Sequence, residues 1–205
     1  MTLSRPRAVL WDVGNVIVRW DPRALYAKVF KEPADIDRFL SHVCTIDWHV
    51  EHDKGVGFPE NAAPLLERFP EHATAIRAWD ERFDEMLSGP IPETVAVIDA
   101  LAARDVPQFA LTNMPQSKWP AVQAISPAHF GLFRDAIVSG DEKVIKPDRR
   151  IYEIVLERTG LQASDLLFID DSIANIQAAM DIGFHTHHFT DPAQLRAAVE
   201  QHRLL

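Results

Sequence analysis

The stretch AVLWDVGNVIV, residues 8–18, decides the fold class of this 205-residue chain. Its β-branched residues predict a buried strand that ends near Asp12, just before Gly14. Beyond Gly89, predicted strands alternate with predicted helices. The strands are predicted at residues 108–112, 135–139, 166–170 and 184–189, and the helices at residues 93–104, 149–159, 173–181 and 192–202. This alternation is typical of an α/β fold in which helices cover both faces of a doubly wound parallel sheet.

A helical pattern separates the first strand from the rest of the predicted sheet. Apolar residues recur there at the i, i+3, i+4, i+7 spacing that places them on one face of a helix. Four helices are predicted, at residues 22–31, 36–43, 62–69 and 76–86. We therefore expect an α/β core formed by residues 1–17 and 90–205, and an inserted helical subdomain formed by residues 18–89.

Composition narrows the classes of function. Thirty acidic residues against 21 Lys and Arg residues give a net charge of −9, which disfavours a nucleic-acid partner because phosphate backbones attract basic surfaces. Cys44 is the single cysteine, so an internal disulfide is excluded and a reducing compartment is expected. No segment approaches the roughly 20 apolar residues needed to cross a bilayer, and the N-terminus lacks the apolar core of a signal peptide. A soluble, cytoplasmic protein without a membrane partner is the expectation.

Polar residues follow the predicted strands, at the edge of the sheet where ligands of parallel sheets bind. A carboxylate at Asp12 is able to attack a phosphorus or carbon centre. After Thr112–Asn113, a helix N-terminus would offer free N–H groups to an anion. Lys146 would supply a counter-charge to a phosphoryl group. Taken singly, each of these residues also fits a turn, a helix cap or an exposed surface position.

The adjacent carboxylates of Asp170 and Asp171 are the most informative local feature. They directly follow the apolar run LLFI, where two negative charges at close range repel each other. A divalent cation between this pair and Asp12 would relieve the repulsion. Mg²⁺ prefers a few carboxylate oxygens, with water and substrate phosphate completing its shell. The alternative is that the pair only caps the following helix.

Four motifs occur in order along the chain: WDVGNVIV at residues 11–18, FALTN at 109–113, VIKPD at 144–148 and FIDDSIAN at 168–175. Together they resemble the motifs of the haloacid dehalogenase (HAD) superfamily, and the helical insert is similar to that family's C1-type cap. The DxGNV start and the paired aspartates resemble the sugar-phosphate phosphatases more than the dehalogenases. The resemblance implies a Rossmann-like core and a Mg²⁺-dependent phosphatase that hydrolyses small phosphorylated metabolites, such as sugar phosphates, through an aspartyl-phosphate intermediate.

The resemblance implies a metal-bound nucleophile at the first and fourth motifs. Asp12 would form the covalent intermediate and bind Mg²⁺. The Gly14 carbonyl and Asp171 would be further metal ligands. Asp170, beside Asp171, would belong to the catalytic residues.

The second and third motifs would hold the phosphoryl group. Thr112 and Asn113 would bind its oxygens, and Lys146 would bridge the phosphate and the nucleophile Asp12. The resemblance therefore places Thr112 and Lys146 among both the catalytic and the substrate-binding residues.

Gly14 departs from the family pattern. Most phosphatases of the family carry a second aspartate at this position as general acid and base, and glycine has no side chain to donate a proton. Substrates with weakly basic leaving groups are then expected, unless His49 or His52 of the insert supplies the proton. Asn175 also stands where many relatives carry a further acidic residue.

Two alternative functions fit the same residues. A 2-haloacid dehalogenase would also use Asp12 as its nucleophile but would need no metal. The paired charges of Asp170 and Asp171 argue against it, because they would hinder the approach of a carboxylate substrate. A catalytically weak phosphate-binding or regulatory protein of the same family is the second alternative, and it is motivated by Gly14.

Overall fold

The computed structural model describes residues 5–205, so the first four residues of the predicted core segment 1–17 lie outside it. This part of the chain contains seven strands: β1 (Ala8–Trp11), β2 (Val18–Trp20), β3 (Leu87–Pro90), β4 (Gln108–Thr112), β5 (Asp135–Val138), β6 (Leu166–Asp170) and β7 (His185–His188). Five of them form one parallel sheet in the order β5-β4-β1-β6-β7. The predicted α/β fold with a doubly wound parallel sheet is confirmed.

Twelve α-helices accompany these strands within the described range: α1 (Pro22–Tyr26), α2 (Pro33–His42), α3 (Ile46–Asp53), α4 (Phe58–Arg68), α5 (Ala73–Glu81), α6 (Pro92–Ala102), α7 (Trp119–Ile125), α8 (Pro127–Phe130), α9 (Ser139–Glu142), α10 (Arg149–Thr159), α11 (Ile173–Ile182) and α12 (Pro192–Gln201). Among residues 5–205, no helix has both the length and the apolar character that crossing a membrane requires. The four helices predicted for the core are found within two residues of their predicted ends. Gly160 and Gly183 end α10 and α11 in the left-handed conformation.

The central strand β1 is buried on both faces. Val9 and Trp11 point to one face and Ala8 and Leu10 to the other, because successive side chains of a strand alternate. The first face packs with α6, α12 and the insert, and the second packs with α10 and α11. The Trp11 indole N–H donates to Gln108 Oε1 at 3.0 Å, so this buried polar atom is satisfied. The parallel ladders with β4 and β6 fix the register of β1 and therefore the position of the residue that follows it.

The helical part of the insert contains five helices, α1 to α5, one more than the sequence pattern predicts. The additional helix is α3, whose sequence IDWHVEHD has few apolar residues and no strong apolar stripe. The predicted helix at 22–31 is too long, since α1 already ends at Tyr26. Pro33 begins α2 and holds the residue before it in an extended conformation, which separates the two helices. The predicted helix at 76–86 is also divided, because α5 ends at Glu81 and a 3₁₀ turn follows.

The insert is not helical at its two ends, which is a second difference from the prediction. Its first and last residues form β2 and β3, a short antiparallel ribbon that joins the insert to the core. The two strands lie far apart in the chain, so no local sequence pattern reveals their pairing. Asn15, with a φ of 55°, accepts the Trp20 N–H on its side-chain oxygen at 3.0 Å and so fixes the start of the ribbon.

Close backbone contacts hold the insert over the carboxyl ends of the core strands. The Ser139 hydroxyl donates to the Asp53 carbonyl at 2.6 Å and accepts the Met114 N–H at 2.9 Å. Gly55 and Gly140 meet backbone to backbone, and a Cβ on Gly55 would lie 2.6 Å from the Gly140 carbonyl oxygen. Gly55 also has a φ of +90°, a conformation that favours glycine. The approach of the insert to the core therefore depends on the absence of a side chain at Gly55.

Gly140→Ala is expected to destabilise the protein. A Cβ at this position would lie 2.7 Å from the Gln116 nitrogen and 2.9 Å from the Met114 oxygen, which are both backbone atoms. Overpacking of this kind lowers the free energy of unfolding by about 1–3 kcal/mol, which chemical denaturation measures.

Gly14→Ala is the matched control for this substitution. A Cβ on Gly14 would have no heavy atom of the described chain within 4 Å. Its effect on the free energy of unfolding should therefore stay within about 0.5 kcal/mol. Equal decreases in the free energy of unfolding of the two variants would contradict the close packing around Gly140.

Candidate active site

A cavity of about 430 Å³ opens between the carboxyl end of the sheet and the insert. Six of the predicted site residues line its core side: Asp12, Gly14, Thr112, Asn113, Lys146 and Asp171. The seventh, Asp170, lies behind them without exposed surface. The structure therefore brings together every residue that the four motifs contribute to the predicted site.

The Lys146 ammonium lies at the centre of this site and is almost completely buried. Its Nζ atom lies 2.8 Å from Asp12 Oδ1 and 2.7 Å from Asp170 Oδ2, and it donates to the Leu111 carbonyl at 3.0 Å. Burial alone would lower the pKa of Lys146, but the two carboxylates outweigh burial and raise it above its usual value. Lys146 is therefore a permanent positive charge beside Asp12.

Asp12 follows β1 and presents its carboxyl group to the cavity. Both of its short contacts fall on Oδ1, which accepts the Val13 N–H at 2.7 Å and lies 2.8 Å from Lys146 Nζ. Burial raises the pKa of Asp12 to about 7, although Lys146 opposes this shift. Oδ1 is therefore occupied by both contacts, which leaves Oδ2 as the oxygen available to a ligand.

Asp170 is held by hydrogen bonds on both of its carboxylate oxygens. The Ser172 N–H donates to Oδ1 at 2.8 Å, and the Asn175 amide donates to Oδ1 and Oδ2 at 3.0 and 3.1 Å. The Lys146 ammonium also donates a hydrogen bond to Oδ2, at 2.7 Å. Asn175, which departs from the family pattern in sequence, therefore orients Asp170 and with it the ammonium.

Three carboxylates converge at the core side of the cavity. One oxygen from each of Asp12, Asp170 and Asp171 lies within 4.8 Å of the others. Burial and the charge of Asp170 raise the pKa of Asp171, as expected for crowded acids. Carboxylate oxygens are the hard ligands that Mg²⁺ prefers, so this donor set suits a small divalent cation. Asp12 and Asp171 line the cavity and are better placed to bind such a cation than the enclosed Asp170.

The second motif contributes two side chains with different surroundings. Thr112 is buried at the end of β4 and lines the cavity. The Asn113 amide pairs with the backbone of Lys146: its Nδ2 donates to the Lys146 carbonyl at 3.0 Å, and its Oδ1 accepts the Lys146 N–H at 2.8 Å. Asn113 therefore positions Lys146, and its contact with a phosphoryl oxygen stays a prediction.

The insert forms the opposite wall of the cavity and separates the two candidate histidines. His49 lines this cavity, whereas His52 lines a neighbouring one. The ring nitrogens of His52 lie 3.2 Å from the Val56 carbonyl and 3.2 Å from the Asn61 amide. Of the two histidines, His49 alone is placed to meet a substrate of Asp12.

Two residues on this wall are absent from the sequence-based site. Asp53 lies one helical turn after His49 on α3, and Trp20 of β2 stacks on the His49 ring at a centroid distance of 5.3 Å. Both side chains line the cavity. The i, i+4 spacing of His49 and Asp53 was the available signal, since it places both residues on one helix face.

Comparison with known families agrees with this geometry. The profile of the haloacid dehalogenase-like hydrolases matches residues 6–183. The chain belongs to this family, and it is therefore a HAD-like hydrolase.

Three proteins with a described function are similar in sequence to most of this chain. Sesquiterpene phosphatase astK of Aspergillus oryzae is 29% identical over 188 residues, which cover 90% of each chain. Phosphorylated carbohydrates phosphatase of Thermotoga maritima is 25% identical over 185 residues, covering 86% of this chain and 81% of that protein. Acyl-CoA dehydrogenase family member 10 of Mus musculus is 25% identical over 197 residues; these cover 88% of this chain and only 17% of the mouse protein.

Solved structures share the fold. A HAD family enzyme from Bacteroides thetaiotaomicron in complex with magnesium has a TM-score of 0.71 at 18% identity, covering 91% of this chain and 94% of that chain. Its complex with magnesium and inorganic phosphate has a TM-score of 0.68 at 19% identity, covering 93% and 98%. L-2-haloacid dehalogenase from Xanthobacter autotrophicus has a TM-score of 0.65 at 15% identity, covering 95% and 82%. At these identities the likeness describes the fold alone.

Asn175→Ala is expected to destabilise the protein by about 1–3 kcal/mol at neutral pH, because a buried carboxylate loses hydrogen bonds on both oxygens. Chemical denaturation measures the change. Gln177→Ala is the control on the same helix; it is exposed and should change stability by less than about 0.5 kcal/mol. Indistinguishable stabilities of the two variants would show that Asn175 does not support Asp170.

Proposed function

We propose that this chain is a Mg²⁺-dependent phosphatase that transfers the phosphoryl group of a small phosphorylated metabolite to Asp12 and then to water. One observation carries the proposal: the buried Lys146 ammonium lies 2.8 Å from Asp12 within a group of three carboxylates. A nucleophile, a fixed counter-charge and cation ligands thus share one end of the cavity. The phosphatase names of two relatives support the same class of substrate.

In the first half of the reaction, a carboxylate oxygen of Asp12 attacks the phosphorus atom. Lys146 and the Val13 N–H hold Oδ1, so Oδ2 is the attacking oxygen. The Lys146 ammonium offsets the charge of the incoming phosphoryl group. The Thr112 hydroxyl donates to a phosphoryl oxygen at the carboxyl end of β4.

In the second half, water attacks the aspartyl-phosphate and restores the Asp12 carboxylate. Asp12, Asp171 and the Gly14 carbonyl would hold Mg²⁺, whose charge offsets the repulsion between the phosphate and the acidic cluster. Asn113 and Asn175 keep Lys146 and Asp170 in place throughout. The fixed orientation of these groups is the main contribution of the core.

The insert, residues 18–89, would act as the cap of this site. It lines the cavity opposite Asp12 with Trp20, His49 and Asp53. A cap excludes bulk water from the phosphoryl group and contacts the remainder of the substrate. Substrate choice would therefore depend on the insert, and the phosphoryl chemistry on the core.

The cap side of the cavity favours an apolar leaving group. Its apolar lining consists of Val18, Trp20, Ile46, Val50, Phe83 and Leu87. A sugar presents hydroxyl groups around its ring and would leave most of them without partners on such a wall. Within the phosphatases we therefore favour an isoprenoid-like or aryl phosphate over a sugar phosphate, in line with the sesquiterpene phosphatase among the relatives.

The dehalogenase alternative is less well supported by the charges of the site. A 2-haloacid carries a carboxylate, which would have to approach Asp12 beside Asp170 and Asp171. Lys146 is the cation of this cluster and already contacts two of these acids. A phosphate ester that binds together with a divalent cation would not experience this repulsion, because the cation offsets the negative charges of the cluster.

The wild type should hydrolyse p-nitrophenyl phosphate only when Mg²⁺ is present. Its kcat/KM should be higher for farnesyl phosphate than for glucose 1-phosphate.

Asp12→Asn tests the nucleophile of the proposed reaction. The variant should lose turnover by several orders of magnitude, because an amide is not a phosphoryl acceptor. Activity within about tenfold of wild type, in a variant with an unchanged Tm, would remove the nucleophile assignment.

Asp171→Ala is expected to raise the Mg²⁺ concentration that gives half-maximal activity, because one carboxylate ligand is lost. Asp181→Ala on α11 is the control; it is exposed and remote from the cluster, and its Mg²⁺ titration should match that of the wild type. Superimposable titrations of Asp171→Ala and wild type would show that Asp171 is not a ligand.

A further inference from the structure

The insert places one acidic side chain on the wall of the active-site cavity. Asp53, the last residue of α3, is 6% exposed and lines the same cavity as Asp12. Its Oδ1 atom is buried and accepts no hydrogen bond from any residue between 5 and 205. Burying a carboxylate oxygen without a donor costs free energy. A proton on this carboxyl group would remove the charge that makes its burial costly.

Contacts with the core fix the position of Asp53. Its carbonyl accepts the Ser139 hydroxyl at 2.6 Å, which ties the end of α3 to the residue after β5. The backbone contact between Gly55 and Gly140 fixes the turn that follows. The carboxyl group is thus mounted on a supported helix end, as precise proton transfer requires.

His49 is a neutral neighbour of Asp53. The Trp79 indole N–H donates to His49 Nδ1 at 3.1 Å, so the proton of the neutral ring is on Nε2. Nε2 lies 3.5 Å from Asp53 Oδ1. Burial, with a smaller effect of His52, lowers the pKa of His49 to about 3. His49 therefore lies beside Asp53 as a neutral ring, and it carries no extra proton to donate near neutral pH.

We propose that Asp53 is the general acid and base of this enzyme and replaces the carboxyl group that Gly14 lacks. The inference rests on the phosphatase function proposed above. The geometry behind it is the joint placement of Asp12 and Asp53 on opposite walls of one cavity.

The proton follows a closed cycle. Asp12 Oδ2 bonds to phosphorus as the bond from phosphorus to the leaving oxygen breaks, and the Asp53 carboxyl proton moves to that oxygen. The product departs as a neutral alcohol, and Asp53 is left as a carboxylate. Asp53 then takes a proton from water while the water oxygen bonds to phosphorus and the bond from phosphorus to Asp12 breaks. Inorganic phosphate departs, and both aspartates return to their starting states.

Burial, rather than the neighbouring charges, favours the protonated form of Asp53. Burial raises the pKa of Asp53 to about 7, although Lys146 opposes the shift. The other titratable groups lining this cavity are His49, Asp12 and Asp171. The His49 ring is neutral, and of the cavity's charges Lys146 is the one that acts on the Asp53 pKa, which it lowers. An acid whose pKa is near the working pH is an efficient proton donor and acceptor.

The direct test compares wild type and Asp53→Asn on aryl and alkyl phosphates of graded leaving-group pKa, with Mg²⁺ present. Single-turnover formation of the phosphoenzyme isolates ester cleavage from the later hydrolysis. The wild type should show a shallow dependence on leaving-group pKa, and the variant a steep one. The rate with p-nitrophenyl phosphate should fall less than about tenfold, and that with glycerol phosphate about 10²–10⁴-fold.

Two further variants sharpen this comparison. Asp47→Asn is the matched control, since Asp47 is an exposed acid on the same helix, and both rates should stay at the wild-type level. Gly14→Asp in the Asp53→Asn background should restore part of the alkyl rate. A Cβ at Gly14 meets no heavy atom of residues 5–205 within 4 Å, and its φ lies outside the left-handed region.

The pH dependence of stability gives a readout that is independent of turnover. A carboxyl group whose pKa is raised by folding stabilises the native state at low pH, and this contribution is lost as pH rises to the folded pKa. The Tm of the wild type minus the Tm of Asp53→Asn should therefore fall between pH of about 4 and 7. A constant difference over this range would contradict a proton on Asp53 near neutrality.

Other outcomes of the kinetic test overturn the assignment. Equal losses for aryl and alkyl esters in Asp53→Asn would assign Asp53 a structural or binding role instead. A steep dependence in His49→Gln together with a shallow one in Asp53→Asn would assign the proton to His49. A wild type that hydrolyses no phosphate ester with Mg²⁺ present would remove the phosphatase function itself, and this result is distinct from the other two.

Discussion

The ion pairs of the Lys146 ammonium are the interaction on which the rest of the site depends. This buried charge contacts Asp12 at 2.8 Å and Asp170 at 2.7 Å. Removing the ammonium would leave Asp12 and Asp170 without a counter-charge inside the protein, which is strongly destabilising. Asn113 fixes the Lys146 backbone and Asn175 fixes Asp170, so one charge ties together the ends of three neighbouring strands. The phosphoryl chemistry proposed for the core follows from this arrangement.

The core and the insert supply complementary parts of the proposed reaction. The core offers the nucleophile and the positive charge, and the insert offers an apolar wall with Asp53 in it. An apolar alcohol is a poor leaving group unless it is protonated. An enzyme whose apolar wall selects such an alcohol therefore also needs a general acid. Packing does not demand a glycine at position 14, because a Cβ there meets no atom of the described residues within 4 Å. Packing therefore does not explain the glycine at this position, and the proposed role of Asp53 would make an acid there unnecessary.

Sequence reasoning reached the core, the charged cluster and, on the cap side, His49, but it missed Asp53 and Trp20. The core strands and helices carry strong local signals, such as the apolar run before Asp170 and the glycines after α10 and α11. The α3 helix lacks an apolar stripe, and the β2–β3 ribbon pairs segments far apart in the chain. Asp53 belongs to no motif, and its significance arises only when the insert docks on Ser139. Helices α7 to α9 are absent from the sequence-based prediction, because they are too short to show a repeating apolar pattern.

The most direct measurement of the central claim is the detection of a phosphoenzyme on Asp12. Wild-type protein is mixed with p-nitrophenyl phosphate and Mg²⁺, quenched in acid and digested, and its peptides are analysed by mass spectrometry. The account predicts a phosphoryl adduct on the peptide that contains Asp12, lost in Asp12→Asn and removed by brief treatment with hydroxylamine. Turnover without this adduct, or an adduct on another residue, would contradict nucleophilic catalysis by Asp12.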